Sequence, residues 1–304
     1  MSFSWFPGHM AKGLRQIGED LKLVDLVLLV VDARIPRSSR HVQIETMLRS
    51  RGKGYCMVLN KTDLAEPVAT AAWVALLRKE GVAVVSASAL MGRGIEPIKK
   101  VVADVRGRVL ERARKKGRLD APVRLLVAGI PNVGKSSLIN RLTADAGGSR
   151  GRTAPARTGR HPGVTRSRQW IALPGGLELR DTPGILFPRI ASREMFLHLA
   201  ATGAIKEDNL PLDEVGEGLA ELLRRRGALA VAPRDGQSML EAVAASRGML
   251  LSGGVVDVER AAHFLLKHTR EGRWGPMTLE KVDDVQPEDT PTTQDDDEVD
   301  EDAL

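Results

Sequence analysis

The strongest restriction on the fold comes from the segment Gly129-Ile130-Pro131-Asn132-Val133-Gly134-Lys135-Ser136, which fits the phosphate-loop pattern G-x-x-x-x-G-K-[ST]. It directly follows the apolar run 123–128 and precedes a helical pattern over 136–143. In such a loop the glycines let backbone N–H groups close around phosphates, and the N-terminus of the following helix adds partial positive charge. The sequence therefore predicts a strand–loop–helix unit that binds a phosphorylated ligand. The expected phosphate contacts are Asn132, Val133, Gly134, Lys135, Ser136 and Ser137.

Short apolar runs alternate with helical patterns up to about residue 180. Strands are predicted over 24–32, 55–59, 82–85, 123–128 and 177–180, and 169–173 looks like the first arm of a hairpin. Helices are predicted over 42–49, 68–79, 95–114 and 136–143. Nearly continuous apolar strands are typical of a parallel sheet that is covered on both faces. The alternation therefore predicts an α/β fold with a mostly parallel, doubly wound sheet.

A second motif indicates which base is bound. Asn60-Lys61-Thr62-Asp63 follows the predicted strand 55–59, so its side chains should emerge at the carboxyl edge of the sheet, where α/β folds bind ligands. The Asp63 carboxylate can accept hydrogen bonds from N1 and N2 of guanine, a pair of donors that adenine lacks, while Asn60 would contact the acceptor edge of the base. The motif predicts GTP or GDP as the ligand and argues against an ATPase.

Two turns complete the predicted site. Ser86 and Ala87 follow the run 82–85, where guanine-binding domains place a backbone N–H against guanine O6. Asp181-Thr182-Pro183-Gly184 follows the run 177–180. Its Asp181 carboxylate would face the water shell of Mg²⁺, and the Gly184 N–H would lie near the γ-phosphate.

Metal and phosphate ligands follow from the same motifs. Lys135 would reach the β- and γ-phosphate oxygens, and the Ser136 hydroxyl would ligate Mg²⁺. A threonine should also reach Mg²⁺ from the Gly-, Pro-, Thr- and Arg-rich segment 148–169, and Thr165 is preferred because it is nearest the following strand. The expected magnesium ligands are Ser136, Thr165 and Asp181.

The order of these motifs along the chain is permuted, because the base reader at 60–63 precedes the phosphate loop. With this order the sequence resembles the circularly permuted GTPases, specifically the ribosome biogenesis GTPase A (YlqF-like) family. The resemblance extends to Trp5-Phe6-Pro7-Gly8-His9-Met10-Ala11-Lys12, Asp32-Ala33-Arg34-Ile35-Pro36, Gly203-Ala204-Ile205-Lys206 and the helical C-terminus. It implies a circularly permuted P-loop GTPase domain followed by a smaller all-α domain. It further implies a cytoplasmic GTP hydrolase that binds a late precursor of the large ribosomal subunit, with the C-terminal domain helping to contact rRNA.

The catalytic group for hydrolysis has two candidates. Ile185 stands directly after Gly184, where many small GTPases carry a glutamine that orients the attacking water, and an apolar side chain cannot do this. Asn132 matches the asparagine with which related GTPases hold a K⁺ ion against the phosphates. His9 lies in the N-terminal motif that the family associates with activity on the ribosome, or it is a polar residue of a Pro-Gly-His turn. The candidate catalytic residues are Lys135, Asn132, Thr165 and His9.

Charge is distributed unevenly along the chain. Eleven of the 39 acidic residues follow Lys281. Residues 1–282 therefore hold 45 basic and 28 acidic residues, a surplus of 17 positive charges. A body with this surplus tends to bind polyanions, and nucleic acid is the first candidate. The basic run 106–118 is either an RNA contact or a solvated connector. The arginines of the helical C-terminus are either phosphate contacts or a solvated helix face.

Three regions are expected from the composition. Residues 1–188 would form the permuted GTPase domain, with an N-terminal helical segment over 1–23 included. Residues 189–282 would form a helical domain that binds RNA or the ribosome, with helices over 191–202, 219–226, 238–247 and 257–271. Residues 283–304 are acidic and poor in apolar side chains, so we expect a disordered tail that can mimic nucleic acid and occupy the basic body.

Composition also excludes some classes of protein. No apolar run approaches the roughly 20 residues that span a bilayer. The single cysteine, Cys56, cannot build a disulfide framework, which suits a reducing cytoplasm. The protein is expected to be monomeric. A competing hypothesis stays open, because Ile185 replaces the usual glutamine. In it the chain is a GTP-gated RNA-binding or translation-regulating module with little catalysis of its own.

Overall fold

The computed structural model describes residues 3–4, 7–145, 170–173, 175–182, 184–186 and 189–284, with the backbone alone at 3–4, 7–12, 145, 181 and 189. The strands are β1 (Phe3–Ser4), β2 (Leu26–Asp32), β3 (Tyr55–Asn60), β4 (Val84–Ser86), β5 (Val123–Ala128), β6 (Ile171–Leu173), β7 (Leu177–Asp181) and β8 (Arg189–Ile190). Within this part the main sheet has six strands in the order β4-β3-β2-β5-β7-β6, and only β6 runs antiparallel to its neighbour. β1 and β8 pair with each other, antiparallel.

The central strand β2 shows why the sheet is covered on both faces. All seven of its residues are buried. Val27, Leu29 and Val31 join one apolar cluster, whereas Leu28 and Val30 join the other. Successive side chains of a strand point to opposite faces, so a continuous apolar run needs a cover on each side.

Helices supply both covers. They are α1 (Pro7–Asp20), α2 (Val42–Ser50), α3 (Pro67–Lys79), α4 (Ile95–Lys115) and α5 (Lys135–Asp145). Ile17 of α1, Leu48 of α2 and Trp73 of α3 belong to one cluster, and Val102 of α4 and Leu138 of α5 belong to the other. The predicted doubly wound α/β sheet is confirmed.

Helices also dominate the chain after β8. They are α6 (Arg193–Thr202), α7 (Leu212–Arg225), α8 (Met239–Ser246) and α9 (Val258–Glu271). The sequence placed the start of α7 at residue 219, and this was wrong by seven residues, because Gly216 and Gly218 weaken the helical pattern. A Cβ on Gly216 would lie 2.7 Å from Ala262 Cβ, so this glycine lets α7 and α9 pack closely. In the described ranges no helix is long and apolar enough to cross a membrane.

The segment after α9 returns to helix α3 and to the loops after β2 and β3, and we call residues 277–284 the C-terminal strap. Met277 N donates to Leu64 O (2.9 Å), Leu279 N to Arg34 O (2.9 Å) and Trp73 Nε1 to Glu280 O (2.8 Å). The strap ends in a short 3₁₀ helix, Val282–Asp284, which takes in the first two residues of the predicted tail. The division of the chain at residues 188 and 282 stays a prediction.

A buried polar cluster holds the strap to two other parts of the chain. The Glu280 carboxylate accepts hydrogen bonds from Arg37 N (2.7 Å), Ser38 N (2.9 Å) and Ser38 Oγ (2.8 Å). Ser38 Oγ also lies 3.1 Å from His198 Nδ1 in α6. Burial raises the pKa of Glu280 and lowers the pKa of His198 to about 4, the latter with a contribution from Arg226. The loop after β2, helix α6 and the strap therefore share one polar core.

Candidate nucleotide-binding site

The parallel sheet brings the predicted motifs to one edge. In the strand register Asp32 of β2 lies opposite Asn60 of β3, and Val127 of β5 lies opposite Asp181 of β7. Because β2 lies between β3 and β5, the base reader after β3 and the phosphate loop after β5 flank the end of β2. The carboxyl edge of a parallel sheet is where α/β folds bind ligands.

Asn60 joins the base reader to the phosphate loop. Its buried side chain donates through Nδ2 to Val133 O, 73 residues away in sequence, at 2.8 Å. Its Oδ1 accepts from Ala89 N at 2.9 Å. One Nδ2 hydrogen is left over for the acceptor edge of a base. Asn60 is thus a structural bridge between the two loops, and its contact with guanine stays a prediction.

The turn after β4 differs in detail from the expectation. Ala87 N donates to Leu59 O at 2.7 Å, so the β3–β4 ladder uses the N–H of one of the two residues, Ser86 and Ala87, that were expected beside guanine O6. Ser86 is the last residue of β4 and also pairs with Leu59. The N–H that reaches the base reader belongs to Ala89, two residues later. The sequence signal for this N–H is a second Ser-Ala pair, Ser88-Ala89, directly after the first.

Asp63 and Lys61 have different surroundings. Asp63 is partly exposed and makes no hydrogen bond or ion pair with any residue that the structure describes, so its carboxylate can accept from a guanine. Lys61 has a positive φ of 63° and its Nζ lies 2.9 Å from Asp32 Oδ2. Asp32 also accepts from Arg34 Nε (3.0 Å) and Nη2 (2.9 Å).

These contacts decide the charge states below the base reader. Burial alone would raise the pKa of Asp32, but Arg34 and Lys61 outweigh it and hold that pKa well below its usual range. Burial lowers the pKa of Lys61, and Asp32 offsets only part of this effect. Arg34 Nη1 continues the network to Thr269 O in α9 at 3.0 Å. The base reader is therefore connected to the C-terminal helices through buried charges.

The phosphate loop needs glycine at two positions, and its lysine bonds back onto the loop. Gly129 and Gly134 have φ angles of 148° and 97°, and a Cβ on either would lie 2.3 Å from Val30 O or Asn60 Nδ2. Lys135 is buried, and its Nζ donates to Gly129 O (3.1 Å) and Ile130 O (2.9 Å). Ser136 and Ser137 follow Lys135 in the first turn of α5. A helix N-terminus behind a glycine-rich loop is an anion site.

Asn132 connects this loop to α6. It has a positive φ of 60°, and its Nδ2 donates to Gly203 O, the residue that ends α6. Its Oδ1 accepts no hydrogen bond from the described residues, so it can face a cation. The motif Gly203-Ala204-Ile205-Lys206 therefore lies against the phosphate loop.

The segment after β7 also reaches this edge. A Cβ on Gly184 would lie 2.7 Å from Pro131 Cα and 3.0 Å from Lys135 Nζ, so Gly184 lies against the phosphate loop. Ile185 is buried and packs toward Gly13 of α1, whose added Cβ would be 2.9 Å from Ile185 Cδ1. The residue at the position of the usual glutamine thus points into the core.

Comparison with known proteins decides the family. The chain is 38% identical over 289 residues to the ribosome biogenesis GTPase A of Bacillus pumilus, a match that covers 92% of this chain and 99% of the relative. The chain belongs to the ribosome biogenesis GTPase A, or YlqF, family. Its residues 124–214 also match the family described as 50S ribosome-binding GTPase. The protein is therefore a GTPase of ribosome biogenesis, and both the resemblance and the GTP hydrolase activity inferred from the sequence are confirmed.

Solved structures agree with this assignment. The GNP-bound YlqF of Thermotoga maritima superimposes with a TM-score of 0.63 at 28% identity, covering 89% of this chain and 98% of that one. The GDP-bound structure of TM YlqF gives the same TM-score at 27% identity and covers 88% and 100%. The permuted order of the GTPase motifs is consistent with these family members.

For three predicted site residues of this ribosome biogenesis GTPase, the structure describes no side-chain contact. Thr165 lies outside the described residues. The backbones of His9 and Asp181 are described, in α1 and at the end of β7, but their side chains are not. The roles of these three residues stay predictions.

Proposed function

We propose that this GTPase acts in the cytoplasm, late in the assembly of the large ribosomal subunit, binding the precursor particle with GTP and leaving after hydrolysis. The observation that carries the proposal is the contact between the nucleotide edge and the C-terminal helices. Asn132 of the phosphate loop bonds to Gly203 of α6, and Arg34 below the base reader bonds to Thr269 of α9. Loss of a γ-phosphate can therefore be transmitted to the helical region. The family description 50S ribosome-binding GTPase supports a large-subunit partner.

Guanine and phosphate recognition are assigned to separate residues. The Asp63 carboxylate would accept from N1 and N2 of guanine, and Asn60 Nδ2 would donate to the base, with the turn at Ala87 to Ala89 below it. Lys135 would exchange its two carbonyl partners for the β- and γ-phosphate oxygens. The backbone from Asn132 to Ser137 would surround the phosphates.

Mg²⁺ fits the chemistry of this edge. The described part of the chain holds no cluster of His, Cys, Asp or Glu that would form an all-protein metal site. Mg²⁺ is instead commonly held by one or two protein oxygens together with substrate phosphates and water. Ser136, in the first turn of α5, would ligate the ion, and Thr165 and Asp181 are the other proposed ligands. When bound, Mg²⁺ neutralises charge that develops on the phosphate oxygens.

Hydrolysis needs a substitute for the missing glutamine. Asn132 is the first candidate, because its Nδ2 is fixed on Gly203 and its Oδ1 is left to hold K⁺ near the phosphates. His9 is the second, and its backbone lies in α1 one helical turn before Gly13, the residue against Ile185. Hydrolysis that is unchanged when Na⁺ replaces K⁺ would eliminate the K⁺ role.

Contacts to rRNA are proposed for arginines of the C-terminal helices, and the structure narrows the set. Arg226 bonds to Leu279 O and Asp284, Arg270 bonds to Glu207 and Ala200 O, and Arg273 bonds to Glu271. Arg247 lies over the Phe264 ring. Three arginines of this group have no such partner in the described part and are the better candidates for phosphate contacts: Arg224, Arg225 and Arg260.

Sedimentation and GTPase rates test the proposal. We expect wild-type protein to co-migrate with immature large subunits in GTP but not in GDP, and particles to raise its hydrolysis rate. Lys135→Ala is the matched control, because loss of the phosphate-binding ammonium should abolish both effects. GTP-dependent binding without a change in rate would instead support the GTP-gated RNA-binding module, and equal binding in GTP and GDP would contradict both functions.

A further inference from the structure

A cationic cavity lies at the edge of the sheet opposite the nucleotide site. Its volume is about 440 Å³, and its lining includes Leu26 and Tyr55, the first residues of β2 and β3, and Ala83 just before β4. The wall on the other side is α4, through Val105 and Val109 among others. A ligand in this cavity would not compete with a nucleotide at the carboxyl edge.

Two of the cations in this cavity are held by neutral groups. Arg51 Nη1 donates to Gly18 O in α1, and Lys53 Nζ donates to Val24 O at 3.0 Å. A carbonyl oxygen orients a cation without cancelling its charge. Arg51 and Lys53 therefore present full positive charges at the cavity.

The other two cations come from α4. Arg108 and Arg112 line the cavity one helical turn apart, and both are exposed. Within the described part of the chain neither guanidinium group makes a hydrogen bond or an ion pair. The acidic residue of the lining is Asp25, whose Oδ2 accepts from Arg124 N at 2.9 Å. Four cations thus face a single carboxylate.

We propose that this cavity binds phosphate groups of an RNA backbone. The basic surface continues beyond it along the end of α4, through the exposed residues Arg114, Lys116 and Arg118. A row of cations that extends past a cavity suits a polymer of phosphates, since each one can neutralise a successive phosphate. The basic run after residue 106 is therefore an RNA contact rather than a solvated connector.

This proposal rests on the proposed function and adds a second RNA-binding surface to the one proposed for the C-terminal helices. It concerns RNA binding alone and needs neither hydrolysis nor a ribosomal particle. Failure of the RNA-binding test would therefore leave the sedimentation test of the assembly function untouched.

The test compares two double variants of full-length protein saturated with GDP. R108Q/R112Q removes two charges from the cavity, and R78Q/K79Q removes two exposed charges from the end of α3 as the matched control. Binding to a short RNA duplex is measured by fluorescence anisotropy over a KCl series. We expect R108Q/R112Q to raise Kd about tenfold at low salt and to reduce the slope of log K against log salt by about two. The control should match wild type.

Two outcomes overturn the proposal. If R108Q/R112Q binds RNA as wild type does, while thermal melting shows that both double variants are folded, the cavity is not an RNA site. Titration calorimetry with inorganic pyrophosphate provides the second arm. Pyrophosphate binding that is lost in R108Q/R112Q, with RNA affinity unchanged, would identify a free phosphate compound as the ligand.

Discussion

Asp32 accepts hydrogen bonds from two cations directly below the base reader. Lys61 reaches it from a left-handed backbone conformation that is uncommon outside glycine, and Arg34 reaches it through Nε and Nη2. Arg34 and Asp32 are both almost fully buried. The carboxylate therefore fixes the base-reading loop and compensates a buried guanidinium at the same time.

Replacing Asp32 should lower both the stability of the fold and the affinity for nucleotide. We expect Asp32→Asn to lower the free energy of unfolding by about 3 kcal/mol, because it leaves the charge of Arg34 buried without its partner. GDP affinity should also fall, since Lys61 loses its anchor. Urea unfolding and nucleotide titration measure the two effects. The exposed Asp104→Asn on α4 is the control and should stay within about 0.5 kcal/mol of wild type. Equal stability of the two variants would contradict this account.

At the level of residues, the sequence was a good guide to which side chains lie at the nucleotide edge. It was a poor guide to the hydrogen bonds that these side chains make with other parts of the protein. Asn60, Asp63 and Lys135 lie at one edge of the sheet because the motifs follow β3 and β5, the two parallel strands on either side of β2. The bridge from Asn60 to Val133 and Ala89 could not be predicted, since it depends on the distance between two loops that are far apart in sequence. The contact between Ala89 and Asn60 could not be predicted either, because strand pairing extends one residue past β4 and uses the N–H of Ala87.

Among the elements, the C-terminal strap is held by a cluster that responds to pH. Burial, reinforced by Arg226, lowers the pKa of His198 to about 4, and burial does the same for His41. A histidine whose folded-state pKa is depressed favours unfolding once the unfolded chain can be protonated. The free energy of unfolding is therefore highest above about pH 6.5, where the histidine is neutral in both states, and it decreases as the pH falls toward 4. Glu280 acts in the opposite direction, because burial raises its pKa.

Acidification should therefore weaken the fold through the histidines. Between pH 7 and pH 5 we expect each buried histidine to reduce the free energy of unfolding by about 2 kcal/mol. His198→Asn and His41→Asn should each remove about half of the pH-dependent loss, whatever their effect at pH 7. Glu280 is unchanged in both variants, so the difference in slope isolates the histidines. Denaturant unfolding over this pH range measures it, and a slope equal to wild type in both variants would refute the assignment.

The sequence was a better guide to elements with a repeating apolar pattern than to those without one. The strands of the parallel sheet and helices α2 to α5 begin and end within two residues of their predicted bounds. The strap has no period, and its hydrogen bonds to Leu64, Arg34 and Trp73 join residues far apart in the chain. The two-residue strands β1 and β8 are too short to show an alternation at all.

For the whole molecule, the separation of charge is the property with the broadest effect. Residues 1–282 carry a surplus of 17 positive charges, while the segment after Lys281 carries eleven acids. Asp284, at the end of the strap, pairs with Arg226, so the acidic sequence begins beside a cation of the helical region. An attached polyanion competes with RNA for the same cations, and the competition weakens as salt shortens the range of electrostatic forces.

Ending the chain after Asp284 should strengthen RNA binding. We expect the truncated protein to have a Kd for duplex RNA about tenfold lower than full-length protein at low salt, with the difference vanishing near 1 M salt, where the Debye length is about 3 Å. A full-length variant with the acids of 285–304 replaced by Asn and Gln is the matched control, and it should behave like the truncated form. Identical low-salt affinities in all three proteins would show that the acidic residues do not compete.

The hydrogen bond from Asn60 to Val133 has a consequence for synthesis. The base reader leaves the translating ribosome long before the loop that it must contact, and its strap partner at Met277 emerges later still. The guanine-reading segment therefore stays without its Val133 contact until the phosphate loop has also left the ribosome, and the strap contact to Leu64 can form only when most of the chain has been made. A protein that serves new ribosomes thus completes the packing of its own base-reading loop last of all.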